Sequence, residues 1–258
     1  MVVRTLRDWR DCRRERNRRP LDTVTLAVII PTYNEHETIG ALLSELVAWF
    51  PDIGILVVDD NSPDHTTTDV RLFGERFPNV KLLERQSKQG LGSAYRDGVA
   101  EVLRIWEPEH LVFMDADGSH PAYFVRRLLA SKADIAIGSR YVDGGWIQGW
   151  AWWRRALSRC GNLYARWLSG VQISDMTSGF MCISAKCLRS IDIETCAAGG
   201  YAFLMQVKFN ASMRGSSIAE VPITFAERRA GASKISWPIV LEGISIPWLL
   251  RFRRFLSP

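Results

Sequence analysis

The sequence predicts an α/β fold in which a central, mostly parallel sheet is flanked by helices. Two observations predict it. Short β-branched apolar runs alternate with stretches of helical periodicity through the first half of the chain, and the most chemically capable polar residues stand where those runs end. Residues 24–30 form the first run, stopped by Pro31, and 53–58 the second, stopped by Asp59 and Asp60. Neither run alternates with polar residues, as expected of parallel strands covered on both faces. Between them, 37–50 space Ile39, Leu42, Leu43, Leu46 and Phe50 at helical intervals, which completes a βαβ unit. The alternation continues with a helix at 67–77, a strand at 80–84, a helix at 93–106 and a strand at 111–114, joined by right-handed crossovers. Beyond Gly138 the order is less regular: a basic, tryptophan-rich stretch at 146–167, a loop at 175–180 and a last strand at 218–225.

Composition bounds the function less tightly. With 258 residues, 47% hydrophobic and 24% charged, the chain can bury one substantial core and is not globally disordered. A net charge of +5 suits an anionic partner, and nucleic acid, phosphorylated substrates and acidic lipids fit that surplus equally. The five cysteines, Cys12, Cys160, Cys182, Cys187 and Cys196, lack the paired spacings of a zinc site and suit a reducing compartment. Residues 1–21 read as a solvated basic arm, since arginines crowd it and no apolar signal-peptide core follows. No window reaches the about 18 apolar residues of a membrane-spanning helix. The nearest approach, 239–250, contains Glu242 and Pro247 and runs into Arg251, Arg253 and Arg254, a pattern for an interfacial or partner-docking segment. The expected organisation is therefore an arm at 1–21, a domain at 22–238 and an amphipathic segment at 239–258.

In open α/β sheets, ligands collect beyond the carboxyl ends of the strands, where this chain has Tyr33 and Glu35, Asp59 and Asp60, and Asp115 and Asp117. Asp115 and Asp117, two residues apart at a strand end, can converge on one divalent cation, Mg2+ or Mn2+ by the hardness of their oxygens; the same pair also suits a turn with helix-capping aspartates. In 88–95, glycines precede an amphipathic helix and let backbone amides approach a phosphate, or simply start the helix. The basic loop 228–234 can fold over a diphosphate, or be a solvated charge run.

Together these segments carry more. Pro31-Thr32-Tyr33-Asn34-Glu35, Asp59-Asp60-Asn61-Ser62-Pro63-Asp64, 88–94, Asp115-Ala116-Asp117, Gly138-Ser139-Arg140-Tyr141, Asp175 with Ser178-Gly179-Phe180, and 228–234 stand in the order seen in family 2 inverting glycosyltransferases. More narrowly, over 24–237 the chain resembles the dolichol-phosphate or polyprenol-phosphate mannose synthases. The resemblance implies a GT-A fold, a Rossmann-like α/β domain, and transfer of mannose from GDP-mannose to a polyprenyl phosphate. It implies that Pro31, Tyr33, Glu35, Val58 and Asp60 line the donor, with Asp59 a structural partner, and that Asp115 and Asp117 hold the metal while Ala116 meets the nucleotide through its backbone. Some members place glutamine where this chain has Ser119, a shorter ligand, so water is expected to complete the metal shell. Arg140 is implied near the donor and acceptor phosphates, Arg154 and Ser158 at the acceptor phosphate, and Arg228 and Lys234 at the donor diphosphate.

Arg154 and Ser158, four residues apart, share a helical face, and Trp146, Trp150, Trp152, Trp153 and Trp167 stand among Arg155, Arg159 and Arg166. That mixture suits a helix lying in a membrane interface, although an ordinary core-facing helix is the alternative. Peripheral attachment at the cytoplasmic face of a membrane is expected, directly or through a small membrane subunit that docks 239–250. An acceptor phosphate is already an anion, so no catalytic base is assigned, and Asp175 is expected only to shape the site. A single in-line displacement inverts the anomeric centre, with Asp117, Arg140, Arg228 and Lys234 as the catalytic set. The nearest rival is a polyprenyl-phosphate glucosyltransferase using UDP-glucose. From another class, a basic nucleic-acid-binding module is disfavoured, because Asp115 and Asp117 would repel a phosphate backbone.

Overall fold

The computed structural model describes residues 24–196, 199–227 and 237–256. The basic arm at 1–21, and Arg228 and Lys234 among the expected donor ligands, lie outside the described residues.

Nine strands and eight α-helices are described. The first half alternates as expected: β1 (Leu26–Thr32), α1 (His36–Trp49), β2 (Gly54–Asp59), α2 (Thr66–Arg76), β3 (Val80–Glu84), α3 (Leu91–Ile105) and β4 (His110–Phe113). Then follow α4 (Phe124–Ala130), β5 (Ile135–Ser139), β6 (Trp146–Ile147), α5 (Trp152–Ser169), β7 (Met181–Ser184) and α6 (Ala185–Ile191). A 3-10 turn at Ile193–Thr195 leads to α7 (Gly200–Met213), β8 (Ile218–Pro222), β9 (Thr224–Phe225) and α8 (Trp237–Leu256). The main sheet runs β3-β2-β1-β4-β7-β5-β8, and β6 pairs with β9 in a small second sheet. All neighbours in the main sheet are parallel except β7, which lies antiparallel to both β4 and β5.

Successive residues of β1 face opposite sides of the sheet, so Ile29 enters one core layer and Ile30 the other. The first layer joins β1, β2 and β4 to α3 and α7 through Tyr95, Phe113 and Phe203; Tyr95 stacks on Phe113 at 4.3 Å. The second joins the sheet to α1, α2 and α4 through Leu43, Val70 and Val125. Gly98 sets the depth of α3, since a Cβ there would lie 2.6 Å from Ile29 Cγ2 and 3.0 Å from Val58 Cγ2.

β2 and β4 flank β1 on opposite sides, so the chain reverses its winding there and opens a crevice at the carboxyl ends of β1 and β4. The strand expected at 218–225 is two strands in two sheets. Pro222 closes the β8 ladder because it offers no N–H, and Ile223 N–H turns back to Ser139 O at 3.1 Å before the chain crosses to β6.

The last helix begins at Trp237, before the expected boundary at 239, and packs on α5 and α7 as part of the domain. Leu250 is fully buried, Tyr164 Oη donates to Ile244 O at 2.7 Å, and Glu242 Oε1 accepts the Gly199 N–H at 2.6 Å. Glu242 thus faces the positive amino end of α7, which accounts for a carboxylate in an otherwise apolar helix. Among the described residues no helix is long and apolar enough to cross a membrane.

Candidate active site at the carboxyl edge of the sheet

Beyond β4 the chain turns sharply, with Gly118 at φ 75°, and presents both aspartates at the crevice. Asp117 is buried, and its Oδ1 accepts the Ser119 N–H at 3.0 Å and the Ser119 hydroxyl. Asp115 is more open, its side chain 23% exposed. Beneath it lies His120, buried, stacked on Phe180 at 4.9 Å and edge-on to Phe225 at 5.4 Å. Burial lowers the His120 pKa although the Asp115 and Asp117 carboxylates oppose it; the neutral ring accepts the Asp115 N–H at Nδ1, 3.4 Å away. Gly179 backs the Asp115 carboxylate so closely that a Cβ would lie 3.3 Å from Oδ1.

The loops after β1 and β2 are laced together. Asp59 accepts Ser62 N–H at 2.8 Å, Ser62 Oγ at 2.6 Å and Thr32 Oγ1 at 3.2 Å, the structural role expected of it. Ser62 Oγ in turn accepts the Asn34 N–H, and Thr66 Oγ1 the Glu35 N–H, both at 2.9 Å. Asn34 and Asn61 take left-handed backbone (φ 56° and 62°), which asparagine tolerates. The result holds half-buried Pro31, Tyr33 and Glu35 along one wall, with Lys88 Nζ 3.6 Å over the Tyr33 ring.

Two expected donor contacts need correction. Val58 is wholly buried in the core between β1 and α3, so its side chain is a packing group and only its backbone reaches the edge. Asp60 is committed to the glycine loop: it accepts Gln89 N–H at 2.9 Å, Gly90 N–H at 2.8 Å and Arg85 Nη1 at 2.8 Å. Gly90 at φ 91° then opens α3, and Arg85, which the sequence reading passed over, ties Asp60 to Asp97 and Ser93. Ala116 is buried, consistent with a backbone role.

Arg140 is held in place rather than free: Asp175 binds it through Nε and Nη2, both at 2.7 Å, and also accepts the Arg140 N–H at 3.0 Å. Burial opposes the charge on Asp175, yet the Arg140 and Lys208 cations outweigh it and hold its carboxyl below the usual range. Asp175 therefore shapes the site, as expected, through Arg140. Tyr141, Trp150 and Phe225 ring the guanidinium at 5.4–5.9 Å, and Arg154 lies 4.0 Å over one of these rings, the Trp150 indole. On the same face of α5 as Arg154, Ser158 O accepts the Asn162 amide, which also donates to Thr177 Oγ1. Arg140, Arg154 and Ser158 thus border one aromatic-walled end of the crevice.

The tryptophans of α5 do not face the core. The helix buries Asn162, Ala165, Leu168 and Ser169 and exposes Trp152 (75%), Trp153, Leu157 and Trp167 (73%). Across from it α8 exposes Leu241, Ile244, Trp248 and Phe252 at helical spacing.

Among the described residues no three His, Cys, Asp or Glu side chains converge as a closed metal cage. Asp115 and Asp117 instead form a two-carboxylate edge of hard oxygens, a donor set that suits a divalent cation such as Mg2+ or Mn2+. Ala226 N–H donates to Ser119 O at 3.2 Å, so β9 delivers the chain beside the acidic turn just before residue 228.

Comparison with known proteins agrees with this geometry. The sequence pattern of the family described as Glycosyl transferase family 2 matches residues 27–192. A polyprenol monophosphomannose synthase of Mycolicibacterium smegmatis is 42% identical over 84% of this chain and 83% of that protein. An undecaprenyl-phosphate mannosyltransferase of Micrococcus luteus is 41% identical over 84% and 89%. A dolichol-phosphate mannosyltransferase of Pyrococcus furiosus is 33% identical over 84% of this chain but only 61% of its own. Among solved structures, glucosyl-3-phosphoglycerate synthase from Mycobacterium tuberculosis, in complex with Mn2+, UDP and glucosyl-3-phosphoglycerate, aligns with a TM-score of 0.64 at 19% identity, covering 90% of this chain and 85% of that one. That likeness establishes the shared GT-A fold.

Proposed function

The chain is a member of glycosyl transferase family 2, and from that premise we propose that it transfers mannose from GDP-mannose to a polyprenyl phosphate, with inversion, at a membrane surface. The observation that carries the reading is one crevice that has an acidic turn at one side and an aromatic-walled pair of guanidiniums, Arg140 and Arg154, at the other. An acidic turn serves a donor diphosphate; a cationic, apolar-walled end serves a phosphate that carries a hydrocarbon chain.

Pro31, Tyr33 and Glu35 form the wall for the nucleotide, and Asp60 acts by fixing the Lys88–Gly90 loop against it. Asp115 and Asp117 would hold Mg2+ or Mn2+, which when bound neutralises charge developing on the leaving diphosphate. Arg228 and Lys234 complete the grip on that diphosphate. At the other end Arg140, Arg154 and Ser158 orient the acceptor phosphate opposite the leaving group. The acceptor oxygen needs no deprotonation, so the residues supply alignment and charge rather than a base.

The exposed tryptophans and leucines of α5 and α8, bordered by Arg155, Arg159, Arg251 and Arg253, would seat the domain on anionic headgroups with the acceptor end toward the lipid. The test is transfer of radiolabelled sugar to a polyprenyl phosphate in vesicles, with GDP-mannose compared against UDP-glucose. Labelled lipid from GDP-mannose, β-linked, is the expected result. Product only from UDP-glucose assigns the glucosyl reaction instead, and no lipid product from either donor removes the proposed acceptor.

A further inference from the structure

Lys208, on α7, is fully buried, and its Nζ donates to three backbone carbonyls: Asp175 at 3.2 Å, Met176 at 2.9 Å and Ser178 at 2.7 Å. Burial pulls its pKa down to about 7, while the Asp175 carboxylate and the three carbonyl acceptors favour the ammonium. Three donors meet three acceptors, the full capacity of a lysine head. All three belong to one loop, and that loop reaches Arg140, α5 and the acidic turn. Asp175 holds Arg140 in two-point contact, and Thr177 Oγ1 accepts a further Arg140 N–H at 2.8 Å. Thr177 N–H donates to Asn162 on α5 at 3.0 Å, on the helix that carries Arg154 and Ser158. Ser178 Oγ donates to Gly138 O at 2.7 Å, Gly179 lies against the Asp115 carboxylate, and Phe180 stacks on His120 beneath it.

We infer that Lys208 is a positioning residue of the active site, a buried hydrogen-bond donor that fixes the 175–180 loop and so sets the placement of Arg140 relative to Asp115. The inference rests on the proposed function, since it gives Arg140 and Asp115 their roles at opposite ends of one displacement. An apolar side chain at 208 would leave the buried Met176 and Ser178 carbonyls without a donor and Asp175 O with only the long Ser178 N–H at 3.4 Å, and the loop would relax toward other partners. All three described Lys208 hydrogen bonds go to the 175–178 segment, and none to the loops after β1, β2 and β3 that carry Tyr33, Asp60 and Lys88. Loosening it therefore acts on alignment and leaves nucleotide binding in place.

The test compares the wild type, Lys208→Met and a control, Phe209→Ala, which removes a buried ring from the next position of the same helix and none of the hydrogen bonds that Lys208 makes to the loop. Thermal unfolding establishes the folded fraction of each, kcat and the donor KM are measured per folded molecule, and amide hydrogen exchange is followed in 176–180 without substrate. The expected result for Lys208→Met is a kcat lower by about tenfold or more at a nearly unchanged donor KM, with faster exchange in 176–180, while Phe209→Ala keeps its kcat. A Lys208→Met kcat within about twofold of the wild type, or a fall matched by Phe209→Ala, overturns the inference. Should Lys208→Met not fold, Lys208→Gln, which retains two N–H donors, is read by the same criteria. Wild-type enzyme that forms no lipid-linked mannose would instead overturn the proposed function, and the exchange measurement still reports whether Lys208 holds the loop.

Discussion

At the residue scale, the site is a set of charges fixed by other charges. Asp175 is the clearest case: its folded pKa is depressed, so its stabilisation is fully present above the ordinary carboxyl value of about 4 and is lost as pH falls through the lower folded value. Asp175→Asn strands the Arg140 guanidinium, itself only 8% exposed, and is expected to cost about 3–5 kcal/mol at pH 7. Urea unfolding across pH checks this: the gap between wild type and variant should narrow in acid, and a gap that stays constant would show that the carboxylate charge is not what matters. Asp115 and Asp117 were legible in the sequence because two carboxylates two residues apart at a strand end can act together without knowledge of the fold. Arg140 was legible as a site residue but not as a bound one, since its partner lies 35 positions away. Lys208 and His120 could not be found by pattern, because burial against distant carbonyls and rings has no local signal. Val58 was misassigned because it stands beside the motif aspartates while its side chain obeys the strand's alternation into the core.

At the element scale, periodicity gave the first four strands and three helices to within a few residues, because parallel strands and amphipathic helices carry strong and different repeats. The second half was harder to read. β7 is four residues long, and nothing in Met181–Ser184 states that it runs antiparallel between β4 and β5. Close packing of α3 makes a direct prediction: Gly98→Ala forces a methyl into Ile29 and should destabilise the protein by about 1–3 kcal/mol in chemical unfolding. An unchanged midpoint would mean the helix can shift without cost. For α5, replacing Trp153 and Trp167 together by serine removes two exposed indoles that make no described contact with the crevice. Vesicle binding, and turnover of a vesicle-borne long-chain acceptor, should fall by about tenfold, whereas turnover of a short-chain, water-dispersed acceptor should hold. Equal losses on both acceptors would place the indoles in the site rather than at the lipid.

At the scale of the whole molecule, the sheet's change of winding at β1 makes the crevice, the loops after β1, β2 and β4 furnish the side proposed for the donor, and the return of β9 beside the acidic turn brings the chain back to it. Arg154 stands on α5, the helix that also exposes Trp152, Trp153 and Trp167. Under the proposed function, a nucleotide sugar reached from water and a phosphate reached from lipid would meet there. The claim on which this depends is that transfer occurs at the Asp115–Asp117 turn. It is tested most directly by measuring lipid-linked mannose formed by purified wild type and Asp117→Ala, each stripped with chelator and then given Mg2+ or Mn2+. The account predicts product from the wild type only after metal is restored, and a loss of about a hundredfold or more in the variant at any metal concentration. Undiminished turnover by Asp117→Ala, with the same response to chelator and metal, would contradict it.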